Sequence, residues 1–112
     1  MAAFDASKRE WFLEVPINPG TLEKRLALRG QHIADAMPKV EAGIITLAAS
    51  ILSKPTEDGD NKDMIKAIAT VVAKTEEEAR NILVDDVYTR EGIWDSDKIQ
   101  VYPLRTGIRT QK

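Results

Sequence analysis

The residues of this sequence best suited to moving a proton sit in one short stretch: Arg25, Arg29 and His32, the single histidine of the chain. A neutral imidazole titrates near physiological pH, so it can take a proton from a phenol or from a carbon beside a carbonyl. A guanidinium can then hold the phenolate or enolate that results. On a 3.6-residue wheel His32 falls outside the apolar stripe of its helix, beside Arg25, whereas Arg29 falls close to the stripe itself. A cation on an inward face requires a partner or a pocket. Arg29 therefore either snorkels its charge to the edge or holds an anionic ligand group with its planar donors. Taken alone, a solitary helix histidine is more often a surface or boundary residue than a site.

Other chemistries are excluded or weaker. The absence of cysteine removes disulfide frameworks, thiolate metal sites and cysteine nucleophiles, and one histidine cannot build a multi-histidine metal centre within one chain. Asp58, Asp60 and Asp63 around Gly59 resemble part of a calcium loop, but the spacing is wrong and the distant glutamate is missing, so the stretch reads as a solvated hairpin loop. Trp11 and Trp94 line a pocket, form a subunit contact or pack in the core, the last being the commonest role of a lone aromatic. Tyr88 either donates a hydrogen bond to a substrate or to Asp86, or packs structurally. Glu76, Glu77 and Glu78 are explained by helix capping and the helix dipole.

The elements that must position these groups follow from pattern and punctuation. Residues 1–8 are small and polar and are expected to fray. Arg9 to Val15 reads as a strand bounded by Pro16, and Asn18-Pro19-Gly20 as a turn. Thr21 is placed to cap a helix whose apolar positions Leu22, Leu26, Ile33, Met37 and Val40 fall within roughly 60° of one another. Gly43 is placed to end it, and Pro38 is expected to bend it near Met37. Ile44 to Leu52 and Met64 to Ala73 read as strands of an antiparallel hairpin, joined by the polar loop Ser53 to Lys62. Thr75 and Glu78 match a capping box opening a second helix with inner face Ala79, Ile82 and Leu83 and an end near Asp85. Asp86 to Asp97 is a longer connection with room for a helical turn, Lys98 to Leu104 a last strand, and residues 106–112 a loose tail. The order is βαββαβ, an α+β ferredoxin-like architecture: a four-stranded antiparallel sheet with two helices on one face. The bare face of such a sheet needs cover, and a second copy of the chain would supply it.

At 112 residues, 43% of them hydrophobic and 30% charged, the chain suits one globular domain, placed at residues 9–105. A formal net charge of −2 with scattered basic residues offers no footprint for nucleic acid or an anionic membrane. No apolar run approaches a membrane-spanning length. The start lacks a secretory pattern, and Asp5 and Glu10 argue against a transit peptide, so a cytoplasmic location is expected.

Three stretches carry a family resemblance: Gly20-Thr21-Leu22-Glu23-Lys24-Arg25-Leu26-Ala27-Leu28-Arg29-Gly30-Gln31-His32; Thr75 to Arg80 followed by Asp85 to Trp94; and Val101-Tyr102-Pro103-Leu104-Arg105. Together, over roughly residues 10–105, they resemble the YciI-like, or YCII-related, family of small proteins. The resemblance implies a ferredoxin-like dimer of the α/β-barrel type. It also implies an active site pairing a helix histidine, here His32, with an aspartate, here Asp86. One relative in that family eliminates chloride from a chlorinated hydroxyhydroquinone. Val87 stands where the family usually has proline, so a looser turn at Asp86 is expected. Ala48-Ala49-Ser50 stands where it commonly has Ala-Gly-Pro.

With that resemblance, the leading reading is a cofactor-independent lyase or isomerase that abstracts a proton from a small oxygenated, possibly aromatic metabolite. His32 and Asp86 are the catalytic pair, and Arg25, Arg29, Tyr88 and Trp94 contact the substrate. No cofactor or metal is expected, and the expected partners are the substrate and a second copy. A non-catalytic small-molecule-binding or interaction domain is the alternative, and a cofactor-free oxygenase of the same fold type a third.

Overall fold

Leu13 and Val15 alternate with Phe12, Glu14 and Pro16 along the first strand, and both are completely buried. That alternation makes the strand a central one, with one face committed to the core. In the computed structural model, which describes residues 9–57, 59 and 62–110, the elements are β1 (Glu10–Pro16), α1 (Leu22–Glu41), β2 (Ile45–Leu52), β3 (Met64–Val72), α2 (Glu76–Val84), a one-turn α3 (Val87–Arg90), a 3-10 turn (Ser96–Lys98) and β4 (Gln100–Leu104). Residues 1–8 and the loop aspartates Asp58 and Asp60 lie outside the described residues. The strand order β2-β3-β1-β4, antiparallel throughout, is the expected ferredoxin-like sheet. None of the described helices is long and apolar enough to cross a membrane.

The termini of the elements follow their local chemistry. Thr75 caps α2 by accepting the Glu78 N–H at 3.1 Å. Thr21 stands at the start of α1 but does not cap it: its hydroxyl donates instead to the Asn18 carbonyl at 2.7 Å, closing the turn before the helix. Gly43, with φ of +74°, ends α1 in a Schellman motif: its N–H meets the Val40 carbonyl and the Ile44 N–H the Lys39 carbonyl. Pro38 does not break α1, since it lies in the last turn and the Ala42 N–H resumes the ladder on its carbonyl at 3.0 Å.

Two layers result. Leu13 and Val15 of β1, Ala67, Ala69 and Val71 of β3, and Ala79 and Leu83 of α2 make the dry core with Val87, Ile93 and Ile99. The apolar stripe of α1 departs from expectation. Leu22, Leu26, Ile33, Met37 and Val40 remain 36% to 48% exposed. The face of α1 turned inward carries Arg25, Leu28, His32 and Ala36, roughly 100° round the helix from that stripe. The reason is the contacts that α1 makes with the segment after α2, described below, which fix its rotation.

Of the tail, residues 106–110 are described and residues 111 and 112 are not. Thr106 and Arg109 are tied to β1 through the Glu10 carboxylate: the Thr106 hydroxyl and Arg109 Nη2 each donate at 2.9 Å, and the Thr106 N–H at 3.2 Å. Burial by itself pushes the Glu10 carboxyl up, but these hydrogen bonds and the Arg109 charge outweigh it and leave the group below the ordinary carboxylate value. A carboxyl depressed in the folded state contributes stability above its unfolded pKa, and that contribution disappears as pH falls through the folded pKa. Glu10→Gln should therefore lower the melting temperature at neutral pH. The deficit should shrink on acidification below the ordinary carboxylate range, as followed by thermal melts across pH. A deficit independent of pH would show that the latch is not electrostatic.

Candidate functional site

The site is built on two elements. The first is the N-terminal half of α1. The second is the capped turn between α2 and the last strand, where Asp86 is the N-cap of α3 and accepts the Tyr88 N–H at 2.9 Å. Gly92, with φ of +73°, closes the other end: its N–H reaches the Thr89 carbonyl, and the Ile93 N–H reaches the Tyr88 carbonyl. Asn18 clamps this segment from the other side, its Nδ2 donating to the Gly92 carbonyl and its N–H to the Ile93 carbonyl, both at 2.8 Å. Ile17 bridges Trp94, so the end of β1 holds the indole in place. The looser turn expected from Val87 is not found, because Val87 is itself buried in the core at the first helical position.

Three links bind α1 to this turn. His32 Nδ1 lies 2.8 Å from both carboxylate oxygens of Asp86. The Tyr88 hydroxyl donates to the Arg25 carbonyl at 3.1 Å, and Lys24 Nζ donates to the Glu91 carbonyl at 2.9 Å. The imidazole stacks on the Tyr88 ring, centroids 4.0 Å apart and planes 9° from parallel, and Trp94 stands perpendicular to both at 5.4 Å. The imidazole is thus fixed in plane by a carboxylate and in rotation by two aromatic rings.

The electrostatics follow. An ionised carboxylate only accepts hydrogen bonds, so His32 in its neutral form carries its proton on Nδ1 and leaves Nε2 bare. The His32 side chain is 25% exposed and that of Asp86 10%, so the pair works in a partly desolvated setting. Burial pushes the Tyr88 phenol up, the charges of Arg25 and Arg29 pull it down, and Asp86 pushes it up again. The net is upward, which keeps the hydroxyl protonated and donating. Its hydrogen is therefore engaged by the main chain of α1, and it is the Tyr88 ring that meets His32.

A cavity of about 280 Å³ opens between α1 and the sheet, and His32, Asp86, Arg25, Arg29, Tyr88 and Trp94 all border it. Arg25 is 93% buried, with Nη1 3.0 Å from Met64 Sδ. Arg29 is exposed and reaches the Gly59 carbonyl at 3.3 Å, so of the two arginines the one expected nearer the apolar stripe is the one at the surface. The Trp94 indole N–H is buried and meets no acceptor among the described residues. Sequence reasoning singled out Ala48 and Ser50 only as a departure from the family pattern, and did not single out Met64, Ala67 and Ala69, which border the cavity with them. The signal was there in two strands unusually rich in alanine.

Fold and cavity together define the class: a ferredoxin-like α+β domain with a cavity between α1 and the sheet. A solved structure of 5-chloro-2-hydroxyhydroquinone dehydrochlorinase from Burkholderia phenoliruptrix AC1100, in complex with 2,5-dihydroxybenzoquinone, superposes with a TM-score of 0.73 over 88% of this chain and 95% of that one. At 21% identity the likeness is one of fold. Within the class, the chain belongs to the family of fusaric acid biosynthesis protein 2. It is 31% identical over 98 residues to that protein from Gibberella fujikuroi, covering 88% of this chain and 94% of the relative. It is also 31% identical over 105 residues to aspercryptin biosynthesis cluster protein B of Emericella nidulans, covering 93% of this chain and 67% of the relative. A further match, to aspartate kinase FUB3 of Fusarium oxysporum, is 32% identical over 87% of this chain but spans only 18% of that longer protein. No family model matches the chain.

Asp86→Asn separates the two tasks of this carboxylate, because asparagine caps a helix about as well as aspartate. The variant should keep the α3 cap and lose about 1 kcal/mol or somewhat more through the weaker bond to His32. The ring-nitrogen chemical shifts of its neutral His32 should change from a single Nδ1–H tautomer to a mixture of the two. Unaltered shifts would mean that the carboxylate does not set the tautomer.

Proposed function

We propose that this protein is a cofactor-independent lyase or isomerase of the YciI-like kind, acting by proton abstraction on a small oxygenated, aromatic or enolisable metabolite. The observation that carries the reading is the His32–Asp86 contact at the border of the cavity. The shared fold of a dehydrochlorinase, and relatives named for biosynthesis, support a metabolic setting.

In this reading His32 Nε2 takes a proton from a phenolic oxygen or from carbon next to a carbonyl, and Asp86 stabilises the imidazolium that forms. Arg25 and Arg29 hold the enolate or phenolate oxygen. Collapse of an enolate expels a leaving group from the carbon β to the re-formed carbonyl, and the imidazolium gives its proton to that group. A phenolate first takes the proton back at a ring carbon, and the keto tautomer so formed loses HX by the same two steps. Atoms and electrons balance as loss of HX, so neither redox nor Lewis-acid help is needed. Tyr88 and Trp94 hold the imidazole plane and wall the substrate.

The test is deuterium exchange and product formation, followed by NMR, over a panel of hydroxyquinols, hydroxyquinones and β-substituted carbonyl compounds. Wild type should exchange or convert at least one compound. His32→Ala should lower that rate roughly a hundred- to ten-thousand-fold. A compound turned over equally by His32→Ala would remove the histidine from the chemistry. Tight binding with neither exchange nor turnover would favour the binding-domain reading, for which the capping role of Asp86 already accounts.

The same reading includes a homodimer. The sheet face away from the helices presents Phe12 directly paired with Tyr102, centroids 6.1 Å apart, and on the same face Leu47 and Tyr102 are each 46% exposed. Apolar side chains in such a row are the usual mark of a contact surface. Sedimentation should show a dimer in the wild type and a folded monomer in Tyr102→Glu, and a monomeric wild type at high concentration would contradict it.

A further inference from the structure

The cavity is larger and less polar than proton transfer at His32 requires. Its charged or titrating members, Arg25, Arg29, His32, Asp86 and Tyr88, lie on α1 up to His32 and at the start of α3. Beyond His32 the wall continues through Ile33, Ala36 and Val40 with no ionisable side chain. At 1.5 Å per residue, His32 to Val40 is about 12 Å of helix. The sheet supplies the floor, where Ala48 pairs with Ala69 and Ser50 with Ala67, two small-on-small cross-strand pairs that border the cavity. Larger side chains at those four positions would fill the space and let α1 settle on the sheet. The volume of about 280 Å³ equals that of roughly nine liquid waters, more than one ring with its oxygens displaces.

We infer that the substrate is amphipathic, with an oxygenated head held at His32, Arg25 and Arg29 and an apolar tail lying along α1 over the alanine floor. This rests on the proton-transfer reading for the head and adds the tail as the determinant of specificity. The charge distribution favours this occupant: one end supplies cations and a base, and along the rest the lining is uncharged, with the Ser50 hydroxyl among alanine and aliphatic side chains. The tail also accounts for the half-exposed Leu26, Ile33 and Val40, which border the cavity and lose water when a tail enters.

The probes are catechol and its 4-alkyl homologues from methyl to octyl, with affinity measured by calorimetry on the full chain. Each methylene that enters should tighten binding roughly fourfold, until the trough is full and the series levels off. Ala48→Leu, at an exposed floor position that tolerates added bulk, and Ala36→Leu, in the helix wall, should each end the rise at a shorter chain. Two variants on different elements guard against misfolding of one. Affinity independent of chain length in the wild type overturns the inference, as does a rise that both variants leave unchanged or a series in which no member binds. A second copy filling the trough predicts that flat response, with affinity instead falling as protein concentration rises. Failure of the chemistry reads out separately, as turnover that His32→Ala does not affect.

Discussion

The rotation of α1 about its own axis depends on the contact between His32 and Asp86. An amphipathic helix guided by burial alone would lay Leu26, Ile33 and Val40 flat on the sheet. Here the imidazole meets a carboxylate at 2.8 Å, and the Tyr88–Arg25 and Lys24–Glu91 bonds pull the same half of the helix towards the turn that carries Asp86. A charge-assisted hydrogen bond in a partly dry setting outweighs a few half-buried methyl groups. The apolar stripe is consequently left as the flank of a cavity.

That arrangement divides the domain by task. Under α2 the packing is closer, with Ala79 and Leu83 in the buried cluster that includes β1 and β3 side chains. Under α1 the floor is made of alanine and serine and the volume stays open. Burying Arg25 and most of Asp86 costs several kcal/mol when such charges lack compensation, and the compensation is local. Asp86 accepts from the Tyr88 main chain and from His32, and Arg25 and Asp86 border the same space with opposite charge. The tight half carries stability, so the open half is free to carry a ligand.

Legibility in the sequence divided along the same line. Strand alternation, the Thr75 cap, the Gly43 stop and the βαββαβ order were readable because each is a local rule with a local cause. The rotation of α1 was not, since hydrophobic periodicity reports which residues are apolar and not which face a distant carboxylate will capture. Pro38 leaves α1 continuous for a local reason: one missing donor matters little in the final turn, where the ladder is about to end. The tail from Arg105 onward looked loose because the group that binds it, Glu10, lies almost the whole chain away. Among the site residues, the resemblance supplied Asp86. Nothing in the spacing of residues 32 and 86 would have paired them.

Val87 stands where the resembled YciI-like pattern has proline, and the turn at Asp86 is held without it. Proline is favoured at the first position of a helix because its fixed φ suits the turn and its missing N–H would have no helical partner there. Val87 occupies that position in α3 and forgoes the rigid ring, but it is 4% exposed and packs into the core. The turn is held at one end by the Asp86 cap and at the other by Gly92 and the Asn18 clamp. Backbone rigidity that a proline would impose covalently is imposed here by burial and hydrogen bonds. The carboxylate of Asp86 therefore points at His32 for reasons distributed over α1, the end of β1 and α3, and no single substitution in the turn need move it.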